Sequence, residues 1–390
     1  MHRSDFPRVI VLGTMGRTPF AGVAWQALHY LEGFRRLGCE VWYVEDTGTW
    51  AYDPEQNTIT AAPGHVTRYV DANMRWLGLG ERWVYVSAAG EPLGPAADRL
   101  EELLAGADAL VNLTGGTVLR ERHLQVPVRI YLETDPVLPQ IEVAQGRGFT
   151  IDLLAAHTHH FSYGENLGAE DCLVPVERFS YRPTRQPVIL DWWPGTSVNG
   201  HSRFTTVASW RQTDKDIEWQ GDTYYWSKDR EFEKLIALPR RLQRPMELAL
   251  ACGDEAAIDR LRSYGWRVRD ALALTREIEP YRDYLLTSRG EFTVAKDQNV
   301  RLRSGWFSDR SACYLAAGKP VVTQDTGFGN VLPTGEGLFS FRTEDEALAA
   351  LQDIERDYAR HASAAREIAR EHFAAERVLG RLLDEVGVPA

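Results

Sequence analysis

The stretch from Gly290 to Asn330 constrains the fold most strongly, because it alternates short apolar runs with polar turns and one compact helix. Residues 291–295 are rich in strand formers, and polar turn formers follow them. Small and apolar residues over 311–317 predict a tightly packed helix, which Gly-Lys-Pro at 318–320 ends because Pro cannot continue it. Residues 321–323 predict the next buried strand. The order strand, loop, helix, strand is typical of a parallel α/β domain.

The start of that predicted helix is a candidate anion site. Ser308 and Asp309 are both good N-cap residues, and the first-turn amide groups beyond them lack acceptors within the helix. Such amide groups bind phosphate and other anions, and Arg310 adds a fixed positive charge beside them. Lys296, after the preceding strand, is a further candidate cation. The alternative interpretation is a capped helix of an α/β domain without any ligand.

The N-terminal half opens with a second unit of the same kind. Arg8–Leu12 is a continuous apolar run of the sort that is buried on both faces of parallel sheets. A loop with Gly13 and Gly16 follows, then a predicted helix over 24–37 and a strand over 39–44. The glycine spacing differs from G-x-G-x-x-G, which disfavours a nicotinamide cofactor. These glycines let the backbone approach a ligand closely, although a tight turn without a ligand fits the same pattern.

A later strand of this half, residues 128–132, ends in a pair of carboxylates. Glu133 and Asp135 follow it, and Pro136 enforces a break there. Carboxyl ends of parallel strands face the crevice where ligands bind in open α/β sheets. Asp135 is therefore the preferred general base for taking a proton from an acceptor hydroxyl, with Glu133 as a second candidate. The alternative makes Asp135 a turn former or a helix N-cap.

Three histidines lie in or beside the predicted strand over residues 158–162. Strand alternation places His157 and His159 on one face and His160 on the other. No carboxylate stands at ligand spacing nearby, which disfavours a metal site. His159 is kept as a candidate catalytic residue of a cleft, with ordinary packing as the alternative.

The chain of 390 residues divides most naturally into two domains. The four prolines between 175 and 194 predict a linker over 181–200, with an N-terminal domain over 1–180 and a C-terminal domain over 201–361. Residues 362–390 are predicted to include a final helix. Both domains are expected to be doubly wound, because strands and helices alternate in each.

The central stretch resembles the donor-binding segment of GT-B glycosyltransferases, in particular the family 4-like, group 1 type. The similarity rests on a helix followed by Ala-Ala-Gly-Lys-Pro-Val-Val and a polar Gly-containing loop. It implies two Rossmann-like domains that face each other across a cleft, with a nucleotide-sugar on the C-terminal one. Many retaining members carry two glutamates eight positions apart here, and this chain has Gly305 and Cys313 at those places. Both usual glutamate contacts are therefore missing, and the stereochemical course stays open.

The resemblance also implies roles for residues outside the central stretch. Gly13 and Gly16 would face the donor diphosphate from the N-terminal domain. Arg211 and Lys215, after the strand over 204–208, resemble the arginine and lysine that face the donor phosphates in such enzymes. Two cations there would stabilise the leaving-group charge without a metal. The alternative makes them a solvated cationic loop. The final helix would cross back to the N-terminal domain.

Composition limits the partners. A net charge of −11 without a basic run disfavours nucleic acid. Four scattered cysteines and the lack of a long apolar segment predict a cytoplasmic protein without an integral membrane segment. The expected function is metal-independent transfer of a sugar from a nucleotide-sugar to a small-molecule or carbohydrate acceptor, with no further cofactor. The rivals are a GT-B-like sugar-nucleotide epimerase and an inactive GT-B-like binding protein. The oligomeric state stays open.

Overall fold

The structure is a computed structural model, and it describes residues 6–195, 202–212 and 214–389. Two parallel sheets dominate it, one in each half of the chain. The strands of the N-terminal half are β1 (Arg8–Leu12), β2 (Glu40–Glu45), β3 (Ala51–Asp53), β4 (Thr58–Thr60), β5 (Trp83–Val86), β6 (Pro92–Leu93), β7 (Ala109–Leu113), β8 (Val128–Glu133), β9 (His159–Ser162) and β10 (Tyr181–Pro183). Its helices are α1 (Ala21–Arg36), α2 (Gly64–Trp76), α3 (Leu100–Ala105), α4 (Glu121–Leu124), α5 (Leu138–Ala144) and α6 (Gly148–Ala155).

The strands of the C-terminal half are β11 (Phe204–Ser209), β12 (Ile217–Trp219), β13 (Asp222–Tyr224), β14 (Met246–Ala251), β15 (Trp266–Asp270), β16 (Gly290–Thr293), β17 (Val321–Gln324) and β18 (Leu338–Phe341). Its helices are α7 (Asp229–Glu233), α8 (Leu238–Leu242), α9 (Glu255–Ser263), α10 (Ala271–Leu274), α11 (Ile278–Thr287), α12 (Asp297–Arg301), α13 (Asp309–Ala316), α14 (Glu344–Arg356), α15 (Tyr358–His372) and α16 (Ala375–Val386). Short 3₁₀ turns lie at Ala97–Arg99, Leu190–Trp192 and Phe328–Asn330.

The N-terminal sheet has eight strands in the order β10-β9-β8-β7-β1-β2-β5-β6. All its pairings are parallel except that of β6, which runs antiparallel to β5 at the edge. The C-terminal sheet has six parallel strands in the order β15-β14-β11-β16-β17-β18. Each order reverses beside the first strand of its sheet, which is the doubly wound arrangement with a ligand crevice at the reversal. The fold class predicted from the sequence is confirmed.

The apolar runs explain why these segments form central strands. Val9, Ile10, Val11 and Leu12 are fully buried, because helices cover both faces of the sheet. In the C-terminal sheet β17 is buried along its whole length. The carboxyl ends of both sets of strands point towards the space between the two sheets.

Several contacts join the two halves beside that space. The Trp25 indole donates to the Ile278 carbonyl at 3.0 Å, and the Trp306 indole donates to the Thr134 carbonyl at 2.9 Å. The last helix, α16, packs on α1, where a side chain at Gly33 would meet Leu379. Helix α15 packs instead on α13 of the C-terminal half. The final helix predicted within residues 362–390 is therefore two helices, the end of α15 and the whole of α16, and the return to the N-terminal half begins at α16.

Other boundaries also differ from the sequence interpretation. The segment predicted as a linker contributes β10, which pairs with β9, and residues 196–201 lie outside the described residues. The segment after Lys228 forms two short helices, α7 and α8, and Pro239 stands in the first turn of α8, where its missing N–H is tolerated. The aromatic insertion over 214–226 forms the antiparallel pair β12 and β13.

Candidate active site

A cavity of about 430 Å³ lies between the two sheets and is lined by both halves of the chain. This volume is in the range of small-molecule sites, which run from roughly 300 to 1,000 Å³. Of the residues predicted from the sequence, the lining includes Asp135, Lys296, Ser308, Asp309 and Arg310. Strand ends and one helix start supply these groups, as the doubly wound topology requires.

Lys228 is the cation of this cavity that the sequence analysis missed. It is the residue before α7, and its ammonium nitrogen lies 5.5 Å from the centre of the Trp306 ring. Burial, together with the neighbouring charges of Arg310 and Lys296, lowers its pKa from 10.5 to about 7. Within the described parts of the chain, no carboxylate lies close enough to form an ion pair with it. A half-buried ammonium group without an ion-pair partner is a candidate contact for an anion.

Lys296 and Asp135 form an ion pair that joins the two halves. The Lys296 ammonium donates to Asp135 Oδ1 at 2.6 Å and also lies 3.1 Å from the centre of the Trp226 ring. Burial lowers the pKa of Lys296 to about 8, an effect that Asp135 opposes. The candidate general base and a candidate phosphate ligand are thus bonded to each other.

The loop after Asp135 is held in a strained backbone conformation. Val137 has φ of 95°, which a β-branched residue rarely adopts. Its amide donates to the Gln140 side chain at 2.7 Å, and the Gln140 amide donates to both oxygens of Glu133 at 2.8 Å. The Ser162 hydroxyl donates to Glu133 as well, at 2.6 Å. Glu133 is therefore buried and committed to holding this loop, and it does not line the cavity, contrary to its proposed role as an alternative base.

The start of α13 forms the C-terminal wall of the cavity. Ser308 is its N-cap residue but makes no capping bond with its side chain, so the first-turn amide groups keep no side-chain partner from it. Arg310 is fixed beneath them, donating to Glu291 at 2.5 Å, the Val207 carbonyl at 2.6 Å and Thr293 at 3.0 Å. Three of its five N–H groups are used in this way. The guanidinium thus supplies a fixed positive charge rather than a mobile side chain.

Asp309 adds a second carboxylate to the cavity. It accepts a hydrogen bond from the Gln26 amide at 3.2 Å. Burial, together with the neighbouring charge of Asp135, raises its pKa to about 6. Its role as a donor ligand would require its protonated or hydrogen-bonded form, because a bare carboxylate would repel a diphosphate.

The glycine loop after β1 does not reach the cavity. The Glu45 carboxylate fills this loop, where it accepts hydrogen bonds from the Gly16 amide at 2.7 Å and the Arg17 amide at 2.5 Å. A side chain at Gly13 would meet the Tyr43 ring at 2.6 Å, so this glycine is required by packing within the domain. Neither Gly13 nor Gly16 is among the residues that line the cavity. The structure therefore does not bring either glycine to the place where a diphosphate was expected to contact it. The same carboxylate blocks the place where a dinucleotide would bind in a Rossmann domain.

Three further predicted residues lie outside the cavity lining. His159 is at the amino end of β9, whereas the cavity lies at the carboxyl ends of the strands, so the structure does not bring His159 into the cavity lining. Arg211 is exposed and pairs with Asp229 at 3.0 Å on a separate surface. Lys215 lies next to the site, 4.5 Å from the Trp226 ring that Lys296 also contacts. The lysines that line the cavity are Lys228 and Lys296.

The missing glutamates have a structural reason. Gly305 has φ of 79°, and a Cβ atom there would lie 2.3 Å from the Asn166 amide nitrogen. The N-terminal half is packed against the position where the first glutamate would stand. Cys313 is buried, with its sulfur 3.8 Å from His29 Nε2 inside the cavity lining. Both positions therefore belong to the contact between the halves of the chain.

One other group of described residues has metal-ligand chemistry. Asp53, Glu55 and His65 bring one ligand atom each to within 4.8 Å of one another. None of the three lines the cavity.

The architecture of two facing Rossmann-like domains with a cleft between them is the GT-B fold, the fold of many glycosyltransferases. The match to solved structures supports this assignment over nearly the whole chain. An α-glucosyltransferase in complex with UDP and a 13-mer DNA containing an HMU base has a TM-score of 0.60 and 11% identity, with 98% of this chain and 100% of that chain covered. HepE of Anabaena in complex with UDP and glucose has a TM-score of 0.57 and 10% identity, with 98% and 99% covered. AviGT4, a glycosyltransferase involved in avilamycin A biosynthesis, has a TM-score of 0.54 and 14% identity, with 98% of each chain covered.

Sequence comparison adds nothing to this likeness. No protein-family model matches the chain, and no curated protein sequence matches it. At identities of 10% to 14% the structural likeness shows the fold. In the described part of the chain, no helix is both long enough and apolar enough to cross a membrane.

Proposed function

We propose that this protein transfers a sugar from a nucleoside-diphosphate sugar to a hydroxyl group of a small-molecule or carbohydrate acceptor. The observation that carries the proposal is Lys228, a cation without a carboxylate partner in the cavity beside the start of α13. The resemblance of residues 290–330 to the donor segment of family 4-like enzymes supports the same site.

The diphosphate would lie between Lys228, the first-turn amide groups of α13 and the fixed charge of Arg310. Negative charge grows on the diphosphate as the glycosidic bond breaks. Preorganised cations and amide groups in a site shielded from water stabilise that charge strongly. The cations of the chain are sufficient for this task, so the proposed reaction needs no metal. The nucleoside would extend to the cavity walls formed by Ala251, Ala271 and Leu272.

Asp135 would act as the general base on the acceptor hydroxyl. Its carboxylate lies opposite the C-terminal wall and is bonded to Lys296 in this structure. A diphosphate that reaches Lys296 competes for the same ammonium group and so weakens its bond to Asp135. Binding of the donor would thereby prepare the base for the acceptor.

The proposal also covers the donor, the class of acceptor and the cellular compartment. The solved structures with the same fold include complexes with UDP and with UDP-glucose, which makes UDP-sugars the first donors to test. The net charge of −11 argues for an acceptor other than nucleic acid. Four free cysteines suit a reducing compartment such as the cytoplasm.

The test is consumption of a nucleotide-sugar. The purified protein is incubated with UDP-glucose, with and without EDTA and with a panel of hydroxyl acceptors, and released UDP is measured. We expect UDP release that persists in EDTA and falls at least about 100-fold in Asp135→Asn, the range for loss of a general base. Arg211→Met serves as the exposed control and should keep activity. Failure to release any nucleoside diphosphate from UDP-, TDP-, GDP- or ADP-sugars contradicts the proposal, and an epimerised donor without transfer supports the epimerase rival.

A further inference from the structure

The β3–β4 hairpin of the N-terminal half carries an exposed apolar face. Tyr52 of β3 stands directly opposite Ile59 of β4, so their side chains share one face of the hairpin. Ala51 and Asp53 of β3 are buried on the opposite face, and Trp50 is the exposed residue directly before β3, two positions from Tyr52. Trp50 is 59% exposed and Ile59 is 64% exposed.

This face is continuous with the wall of the cavity. Phe20 lines the cavity, and its ring centre lies 5.5 Å from that of Tyr52. The Tyr52 amide also donates to the Arg17 carbonyl at 3.0 Å, which fixes the hairpin to the loop before α1. Phe20, Tyr52, Trp50 and Ile59 thus form one surface that leads from the cavity to solvent, called the hairpin track below.

The chemistry of the hairpin track favours a hydrocarbon ligand. The Tyr52 hydroxyl already donates to Asn57 at 2.8 Å, so its main polar group is engaged. Asp53 belongs to the buried face and accepts from the Glu55 amide at 2.8 Å. A sugar-binding platform pairs an aromatic face with free carboxylate or amide groups, whereas Ile59 offers only aliphatic surface. Contiguous exposed apolar patches with a polar rim are found at ligand grooves and interaction sites.

We propose that the acceptor has a hydroxyl-bearing head that enters the cavity and an apolar body, aryl or acyl, that lies on the hairpin track. The inference rests on the proposed transfer reaction and names the class of its acceptor. The head would reach Asp135, which lines the same cavity as Phe20. The apolar body would cover Trp50 and Ile59 and remove them from water.

The test is equilibrium binding of model acceptors by calorimetry in the presence of saturating UDP. Methyl, phenyl and octyl β-glucosides share one head and differ in their apolar body, and octyl glucoside is used below its micelle concentration. We expect the phenyl or octyl compound to bind at least about tenfold more tightly than the methyl compound, from burial of apolar surface. A stronger gain for octyl indicates an acyl body, and a stronger gain for phenyl indicates an aryl body.

A double variant and a matched control locate the effect. Trp50→Ala with Ile59→Ser should reduce the advantage over methyl glucoside to less than about threefold while leaving UDP affinity unchanged. Phe149→Ala removes an apolar side chain that is 70% exposed elsewhere on the same half and should keep the full advantage. Equal binding of all three glucosides, or an advantage that survives in the double variant, overturns the inference. Failure of the parent protein to bind UDP would instead count against the proposed function.

Discussion

Replacing Lys228 with methionine should change stability and nucleotide binding in opposite directions. Burial holds the pKa of Lys228 at about 7 instead of 10.5, so the folded protein destabilises the charged form of this side chain at pH 6. At ~1.4 kcal/mol per pKa unit, this difference corresponds to at most about 5 kcal/mol, and the partial exposure of the side chain reduces it to roughly 1–2 kcal/mol. Methionine keeps the length and the apolar contacts without the charge. The ligand-free variant should therefore unfold about 2–8 °C higher than the parent.

The same variant should lose nucleotide affinity. A hydrogen bond between a charged donor and a phosphate contributes about 1.5–3 kcal/mol, so UDP should bind roughly 10- to 150-fold more weakly. The assay is thermal unfolding at pH 6 without ligand, combined with calorimetric titration of UDP. Arg211→Met, at a side chain that is 65% exposed, provides the control and should change UDP affinity less than about twofold. A Lys228→Met protein that binds UDP as the parent does, or that is less stable without ligand, refutes this reasoning.

Four further predictions follow from the same contacts. Between about pH 7.5 and 9, UDP affinity should fall more steeply in the parent than in Lys228→Met, because the parent loses the ammonium forms of both Lys228 (pKa about 7) and Lys296 (pKa about 8) whereas the variant loses only that of Lys296; an equal decline in both proteins would contradict this. Asp135→Ala should reduce transfer at least about 100-fold while UDP binds as tightly or more tightly, since Lys296 loses its partner; weaker UDP binding would show that Asp135 supports the donor instead. Gly305→Glu should lower the free energy of unfolding by at least about 2 kcal/mol in denaturant titrations, because its Cβ would lie 2.3 Å from the Asn166 nitrogen, and a stable variant would disprove that packing. NAD should give no heat of binding at concentrations where UDP does, since Glu45 occupies the loop after β1, and binding of NAD would contradict that assignment.

The sequence predicted the doubly wound fold because its signals are local. Buried parallel strands are apolar throughout, and β1, β7, β14 and β18 begin and end where the apolar runs do. The helix stops are local as well, as Gly318 with φ of 67° shows at the end of α13. Helices that mix apolar and polar residues gave weaker signals in the sequence. The sequence pattern did not distinguish the two final helices, because the residues between α15 and α16 include neither Gly nor Pro.

The cavity was partly predictable for the same reason. Asp135, Ser308 and Arg310 each follow a strand or begin a helix, and those positions meet at one edge of a doubly wound sheet. Lys228 carried no such signal. It follows a hairpin insertion, and only the tertiary packing beside Trp306 brings it to the cavity. A lysine between an aromatic insertion and an acidic helix start was the available hint.

Several predicted site residues lie outside the cavity lining because the sequence does not show how strands and side chains are oriented. Alternation grouped His157 with His159, whereas the rings of His157 and His160 both contact Tyr131, and His157 lies before the start of β9. The direction of β9 decides which edge of the sheet His159 reaches. In the chain, Arg211 lies between Ser209 and Gln212, which both line the cavity. Its side chain nevertheless forms an ion pair with Asp229. The glycine loop looked available because its carboxylate partner, Glu45, lies a whole helix and strand away in the chain.

The central claim is that a donor diphosphate binds between Lys228 and the start of α13. A crystal structure of the protein with UDP tests it most directly. The account predicts the diphosphate within hydrogen-bonding distance of the Lys228 ammonium and the first amide groups of α13, with the nucleoside towards Ala271 and Leu272. A diphosphate bound at Gly13 and Gly16, or on the surface beside Arg211, would contradict it.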